Sequence, residues 1–149
     1  MTKWYSAVLL TAALVGIGNA GAADIDPAAN PLLADQGRSR PLVIVTPDNE
    51  RPDYQRMRGI VETSRGAFSD RDMVLYTVEA GAGRKEGQPL TDAETRALLA
   101  ALGTSADGPL TTVLVGKDGG KKVEQQGFVD PRQVYDTIDN MALRRAESR

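Results

Sequence analysis

The stretch from Thr111 to Gln126 constrains the fold more than any other. An apolar run, Val113-Leu114-Val115, meets Gly116-Lys117-Asp118-Gly119-Gly120 and then a polar alternating run from Lys121. This is a β-hairpin pattern. Asp-Gly suits a tight turn because both central positions need positive φ, which glycine takes freely and aspartate tolerates. One strand is apolar enough to be central and the other polar enough to be an edge. The hairpin therefore belongs at the side of a sheet whose other strands come from earlier in the chain.

Those strands alternate with helices. Pro41 opens Leu42-Val43-Ile44-Val45, a continuous apolar run suited to a strand covered on both faces. After the polar loop Thr46 to Arg51, Pro52 suits the first turn of a helix, where its missing N–H is not needed. Tyr54, Met57, Ile60 and Val61 predict a helix from about Pro52 to Arg65, ended by Gly66. Asp70-Arg71-Asp72 turns into Met73 to Val78, a second buried strand. A helix between two apolar strands makes a right-handed βαβ unit with parallel strands. Glu79 to Pro89, with Gly81, Gly83 and Gly87, reads as a charged, mobile loop. Thr91-Asp92-Ala93-Glu94 fits a capping box, opening a helix that runs through Leu98, Ala101 and Leu102 to Gly103. Asp130-Pro131 starts a closing helix with the stripe Val134, Tyr135, Ile138, Met141 and Ala142, and Arg144 and Arg145 suit the negative end of its dipole. The order β-α-β-α-β-β-α predicts an α/β fold, a thioredoxin-like three-layer sandwich with a mixed four-stranded sheet.

Residues 1–22 read as a signal peptide. Lys3 gives a positive start, Ala7 to Ile17 is apolar or small throughout, and Ala20-Gly21-Ala22 supplies a cleavage site. The apolar run falls short of the roughly 20 residues that span a bilayer. An uncleaved N-terminal anchor is the alternative; a lipoprotein anchor is excluded because no cysteine follows. The expected location is periplasmic or secreted, with no stable membrane insertion after cleavage. Residues 23–40, with Pro27, Asn30-Pro31 and Gly37, read as an irregular lead-in whose only apolar anchors are Leu32 and Leu33. Residues 41–149 form the one domain. Without the signal segment, 17 basic residues face 20 acidic ones, a balance that excludes a basic nucleic-acid surface.

Four segments carry a family resemblance: Arg40-Pro41-Leu42-Val43-Ile44-Val45, Arg71-Asp72-Met73-Val74, Val113-Leu114-Val115-Gly116-Lys117-Asp118-Gly119-Gly120, and Ile138 to Glu147. The chain resembles, from about residue 30 to 149, a family of exported bacterial domains of unknown function. That family is described as peroxiredoxin-like and related to domains in vertebrate extracellular-matrix and sushi-repeat proteins. The resemblance implies a thioredoxin-like fold and an extracytoplasmic location, and no reaction. Ala142 stands where the resemblance leads one to expect a proline.

The absence of cysteine and of histidine removes most chemistry. Thiol redox catalysis of the thioredoxin or peroxiredoxin type is excluded, as are Ser-His-Asp and Cys-His arrangements and the usual zinc sites. Thr46-Pro47 then reads as a strand exit. Pro109 precedes the third strand, where thioredoxin-like folds often hold a cis proline. A cis bond would leave a peptide-binding ledge beside Thr46 to Pro52, and the plainer reading is a trans loop proline. Gly81 to Gly87 with Arg84 and Lys85 matches no phosphate-binding fingerprint and reads as a solvated loop. The turns at Asp48 and Asp70 lack the oxygen ladder of a calcium loop. No serine–lysine pair stands out. What remains is the closing segment with Asp139, Arg144, Arg145 and Glu147, joined by Arg40 and by Lys117 and Asp118 of the hairpin turn. Arginine forks suit anions, and internal salt bridges fixing the helix end are the competing reading. The function expected is therefore a non-redox binding or interaction module, with Arg40, Lys117, Asp118, Asp139, Arg144 and Arg145 as candidate binding residues. No catalytic residue, metal or cofactor is assigned. The partner is a protein, a peptide or a small anion. The alternative is a hydrolase-type enzyme using carboxylate, Arg or Lys groups.

Overall fold

The computed structural model describes residues 25–149; the expected signal peptide, residues 1–22, lies outside them. The two most apolar runs become the middle of the sheet because they can be covered twice. In β1 (Arg40–Thr46), every residue is buried. It pairs in parallel with β2 (Met73–Glu79), Leu42 opposite Leu75. On its other side β1 pairs antiparallel with β5 (Thr111–Val115), and β5 with β6 (Lys121–Gln126). The block β2-β1-β5-β6 supplies the four expected strands.

The sheet has six strands, however, in the order β4-β3-β2-β1-β5-β6. The stretch expected as a mobile loop folds into β3 (Ala82–Lys85) and β4 (Gln88–Pro89). Two-residue turns make this possible. Ala80 and Gly81 (φ 49° and 82°) join the paired residues Glu79 and Ala82, and Glu86 and Gly87 (φ 48° and 79°) join Lys85 and Gln88. Both central residues are left-handed in each turn, the arrangement whose twist matches that of the flanking strands. The Asp-Gly pair behaves otherwise. Gly119 alone has positive φ (82°), and the N–H of Gly116 donates to Gly120 O at 2.9 Å while that of Gly119 donates to Gly116 O at 3.0 Å. The result is a longer turn with a bulge near Leu114 and Val115.

Helices cover both faces. On one lie α1 (Pro52–Thr63), α2 (Arg65–Asp70) and α4 (Pro131–Asp139), with Leu42, Ile44, Met57, Phe68, Leu114 and Ile138 among the core they enclose. On the other lies α3 (Asp92–Leu102), packed with Val43, Val45, Tyr76, Val113 and Leu98. Thr91 caps α3 by accepting from the Glu94 N–H at 3.1 Å, and Gly103 closes it in the left-handed region, as its pattern predicts.

Two expected helices are each divided. Gly66 does not end the first; the break is at Ser64, whose hydroxyl donates to the Ile60 carbonyl at 2.5 Å and meets the Tyr135 hydroxyl at 2.7 Å. A serine bonded back to the preceding turn competes with the helix ladder. The closing helix breaks at Asn140 and Met141, so that α5 (Ala142–Glu147) is a separate short helix. Ala142 is its first residue, a position that proline fits.

The lead-in is more ordered than expected. It forms 3-10 helices at Pro27–Ala29 and Pro31–Asp35, capped by the side chains of Asp26 and Asn30, each followed by proline. Leu32 docks on the core and Leu33 stays exposed. Among the described residues no helix is long and apolar enough to cross a membrane.

Gly83 marks where β3 passes closest to α3. A Cβ there would run into the Thr95 hydroxyl and stand 3.2 Å from Leu90 Cδ1. Gly83→Ala is expected to cost about 2 kcal/mol through overpacking, read as a lower urea midpoint. An unchanged midpoint would mean that α3 can move aside freely.

Candidate functional site

Five of the six candidate residues gather at the end of the sheet where β1 begins. Arg40 is the most enclosed, 1% exposed. Its Nη1 donates to the Arg71 carbonyl at 3.1 Å and its Nη2 to Glu147 Oε2 at 3.2 Å. The other Glu147 oxygen accepts from Lys117 Nζ at 2.8 Å, and Lys117 also reaches Asp72 Oδ2 at 2.8 Å. Arg71 forks onto Asp139 at 2.9 and 2.7 Å, a bidentate pair. Arg144 lies 3.9 Å from Asp139 and 4.0 Å from Glu147. Arg40, Lys117, Asp139 and Arg144 thus belong to one network of alternating charge that ties α4 and α5 to the sheet. Asp118 stands at its rim in the hairpin turn, holding Lys122 at 2.6 Å and the Gly120 N–H at 2.9 Å. Arg145 is not brought in; it is exposed on α5 beside Ala146 and Arg149.

Internal salt bridges at the helix end are therefore present: Asp139 meets Arg144, one of the two arginines that reading names for it, at 3.9 Å, and Arg71 more closely. Asp139 pairs chiefly with Arg71, which sequence reading left as part of a turn. Asp72 and Lys122 were missed in the same way. The only signal for them was their place at strand ends, which says little about direction.

The network borders a cleft. About 280 Å³ of space lies between the hairpin turn and the α4–α5 junction, lined by Arg40, Lys117, Asp118, Lys122, Met141 and Ala142. Cations and an apolar wall share one concave surface. That combination suits an anionic group carried on a small apolar body.

The electrostatics make the network acid-sensitive. The Lys117 ammonium, and then the Arg40 guanidinium, hold the Glu147 carboxyl below its ordinary 4.5. A depressed carboxylate contributes stability that is present above its unfolded value and lost as pH falls through the folded one. Below about pH 4.5, amide protection in α5 is expected to fall before that in β1 and β2, as followed by hydrogen exchange. Simultaneous loss in all three would place the acid-sensitive step elsewhere.

The plainer reading of Pro109, a trans loop proline, holds, and no cis bond is present there to make a ledge. Every peptide bond among the described residues is trans, including Gly108–Pro109. Tyr54 is buried beneath the start of α1, its hydroxyl donating to Glu79, with Arg58 Nη1 at 3.2 Å. Pro109 instead lines a shallow cleft with Ser105 and Gln126. Burial, and next the Glu79 hydrogen bond, push the Tyr54 phenol up to about 12. Burial and the bond to Asp35 push Tyr76 up as well.

Both tyrosines favour the fold while protonated. Their contribution is complete below an unfolded value near 10 and disappears as pH rises through the folded values. The part of the near-ultraviolet absorbance change that is lost in Tyr54→Phe should appear well above pH 10 in the folded chain, and its appearance near pH 10 would contradict this.

Among the described residues no group of three or more metal-binding side chains gathers. Ser64 is engaged with Tyr135 and Ile60 O, with no lysine at its hydroxyl.

No curated protein and no solved structure is found to match the chain. A family model described as a domain of unknown function, DUF4174, matches residues 31–147, from the second 3-10 helix to the last residue of α5. The match takes in every strand of the described residues and both walls of the cleft, and by it the chain belongs to the DUF4174 family.

Proposed function

We propose that the chain is a non-redox binding module of thioredoxin-like build that works in the periplasm or outside the cell. The strand block β2-β1-β5-β6, with its parallel pair and terminal hairpin, supports the thioredoxin-like reading. The N-terminal apolar run and small-residue site support export. Without cysteine, such a build can bind but cannot exchange thiols.

The observation that carries the reading is the cleft between the hairpin turn and the α4–α5 junction. It gathers Arg40, Lys117 and Lys122 around an apolar wall of Met141 and Ala142. Its ligand is a small anion or the acidic end of a peptide. The hydrolase alternative gains nothing here, because Asp118 and Glu147 are each held by cations rather than facing one another.

Titrating the protein with benzoate tests the reading. Saturable shifts are expected in the amide resonances of Gly116, Lys117 and Met141. Ala142→Trp, which fills the cleft from an exposed position, should abolish them while leaving the circular dichroism unchanged. A linear response, or one the tryptophan does not alter, would remove the cleft as the binding site.

A further inference from the structure

A second cleft lies on the far side of β2, under α1. The β3–β4 hairpin extends the sheet beyond the helix, leaving about 200 Å³ between them. Leu75, Thr77 and Arg84 form its floor, and Arg58, Glu62 and Arg65 its helical wall. Thr77 and Arg84 are register partners across β2 and β3, so their side chains stand side by side on one face. The hairpin that makes this floor is the one hidden in a glycine-rich stretch.

The polar groups here are unevenly matched. Both Glu62 oxygens accept from Arg65, at 3.0 and 3.5 Å. Glu86 accepts from the Leu75 N–H with one oxygen and from Arg65 Nη1 at 2.9 Å with the other. Glu79, farther along, holds Tyr54 and Arg58. Every nearby carboxylate therefore has its cation. The guanidinium of Arg84 engages no carboxylate among the described residues, and Arg58 keeps its Nε buried without a hydrogen-bond partner. With Glu62, Glu79 and Glu86 each taken by Arg58 or Arg65, the charge left unmatched in the cleft is the Arg84 guanidinium, which favours an anion over a cation.

We propose that this cleft is a phosphate-binding site, in which Arg84 and Thr77 hold a tetrahedral oxyanion from the sheet, and Arg58 from α1 and Arg65 from the start of α2 face it. A guanidinium fork, a hydroxyl and two further arginines approach from different sides, which suits a tetrahedral group better than a planar one. The space exceeds a single phosphate, leaving room for the body of a phosphate monoester. The site is separate from the cleft beside Lys117, and either can fail without the other.

The test is a nuclear magnetic resonance titration of the full chain at low salt, with inorganic phosphate, glycerol phosphate and chloride in parallel. Saturable shifts are expected at Thr77, Arg84 and Gly87 with either phosphate and not with chloride. Tighter binding of glycerol phosphate would assign the ligand as an ester, and equal binding would assign the phosphate group alone. Arg84→Ala should weaken binding at least about tenfold, Arg84→Lys less, and Arg132→Ala, in an exposed pair with Asp130, not at all. Thr77→Val, which keeps shape and removes the hydroxyl, should weaken it without altering the fold. No saturable shift with phosphate, an equal response to chloride, or undiminished binding by Arg84→Ala would each overturn the proposal.

Discussion

Arg40→Ala is expected to lower the unfolding free energy by about 3 kcal/mol. Three effects act together. A long side chain that is almost wholly enclosed disappears, opening a void at the floor of the cleft. The Arg71 carbonyl loses its donor at 3.1 Å. Glu147 loses one of the two cations that hold α5 against the sheet. Arg40→Met separates packing from charge, because it restores most of the volume and Glu147 still has Lys117. It should recover about half of the loss, since a well-packed apolar side chain replaces a buried ion at modest cost. Urea unfolding of both variants decides the matter. Equal losses would show that charge, not volume, is what Arg40 supplies.

Asp35→Ala should cost a similar amount, about 3 kcal/mol. Asp35 ends the second 3-10 helix and is buried against the sheet. One oxygen accepts from the Tyr76 hydroxyl at 2.5 Å and the other from Lys85 Nζ at 2.9 Å. Alanine would leave the buried phenol with only the Pro31 carbonyl at 3.3 Å, and Lys85 with only the face of the Tyr76 ring. The lead-in should then loosen first. Pairing with Tyr76→Phe tests the mechanism: the two losses should fall short of additive by at least about 1 kcal/mol. Strict additivity would mean that Asp35 acts through the backbone of the lead-in and not through Tyr76.

The parts of the fold that were legible are those where one residue type forces one conformation over several positions. Leu42 to Val45 and Met73 to Val78 could only be buried strands, and Thr91 with Glu94 could only open a helix. The hairpin at Glu79 to Pro89 was hidden because Ala-Gly and Glu-Gly are weak turn signals, and the strands they join are short and polar. Asp118-Gly119, the strong signal, took a longer turn because a bulge in the hairpin shifts the register. The divided helices depend on Ser64, which meets Tyr135 across 71 positions, and on Asn140, which bonds back to the Asp136 carbonyl as many asparagines could without ending a helix. The candidate site was legible as a set of charges and not as a set of pairs. Arg71 finds Asp139 across 68 positions, and no spacing rule reaches that far.

The two outer strands differ from the rest of the sheet in a way that bears on how this chain behaves in a crowded solution. One border is β4, only two residues long and ending in Pro89, which lacks the amide hydrogen a newcomer would need. The other is β6, longer and fully equipped with free backbone groups, and there Lys121 and Lys122 stand on the rim. Lys121 is paired with Glu124 and Lys122 with Asp118, so a second β6 sets lysine against lysine only when it lies parallel and in register. Strand addition is thus blocked by brevity at one border, while the other border discourages only the parallel, in-register pairing on which stacked fibres are most often built.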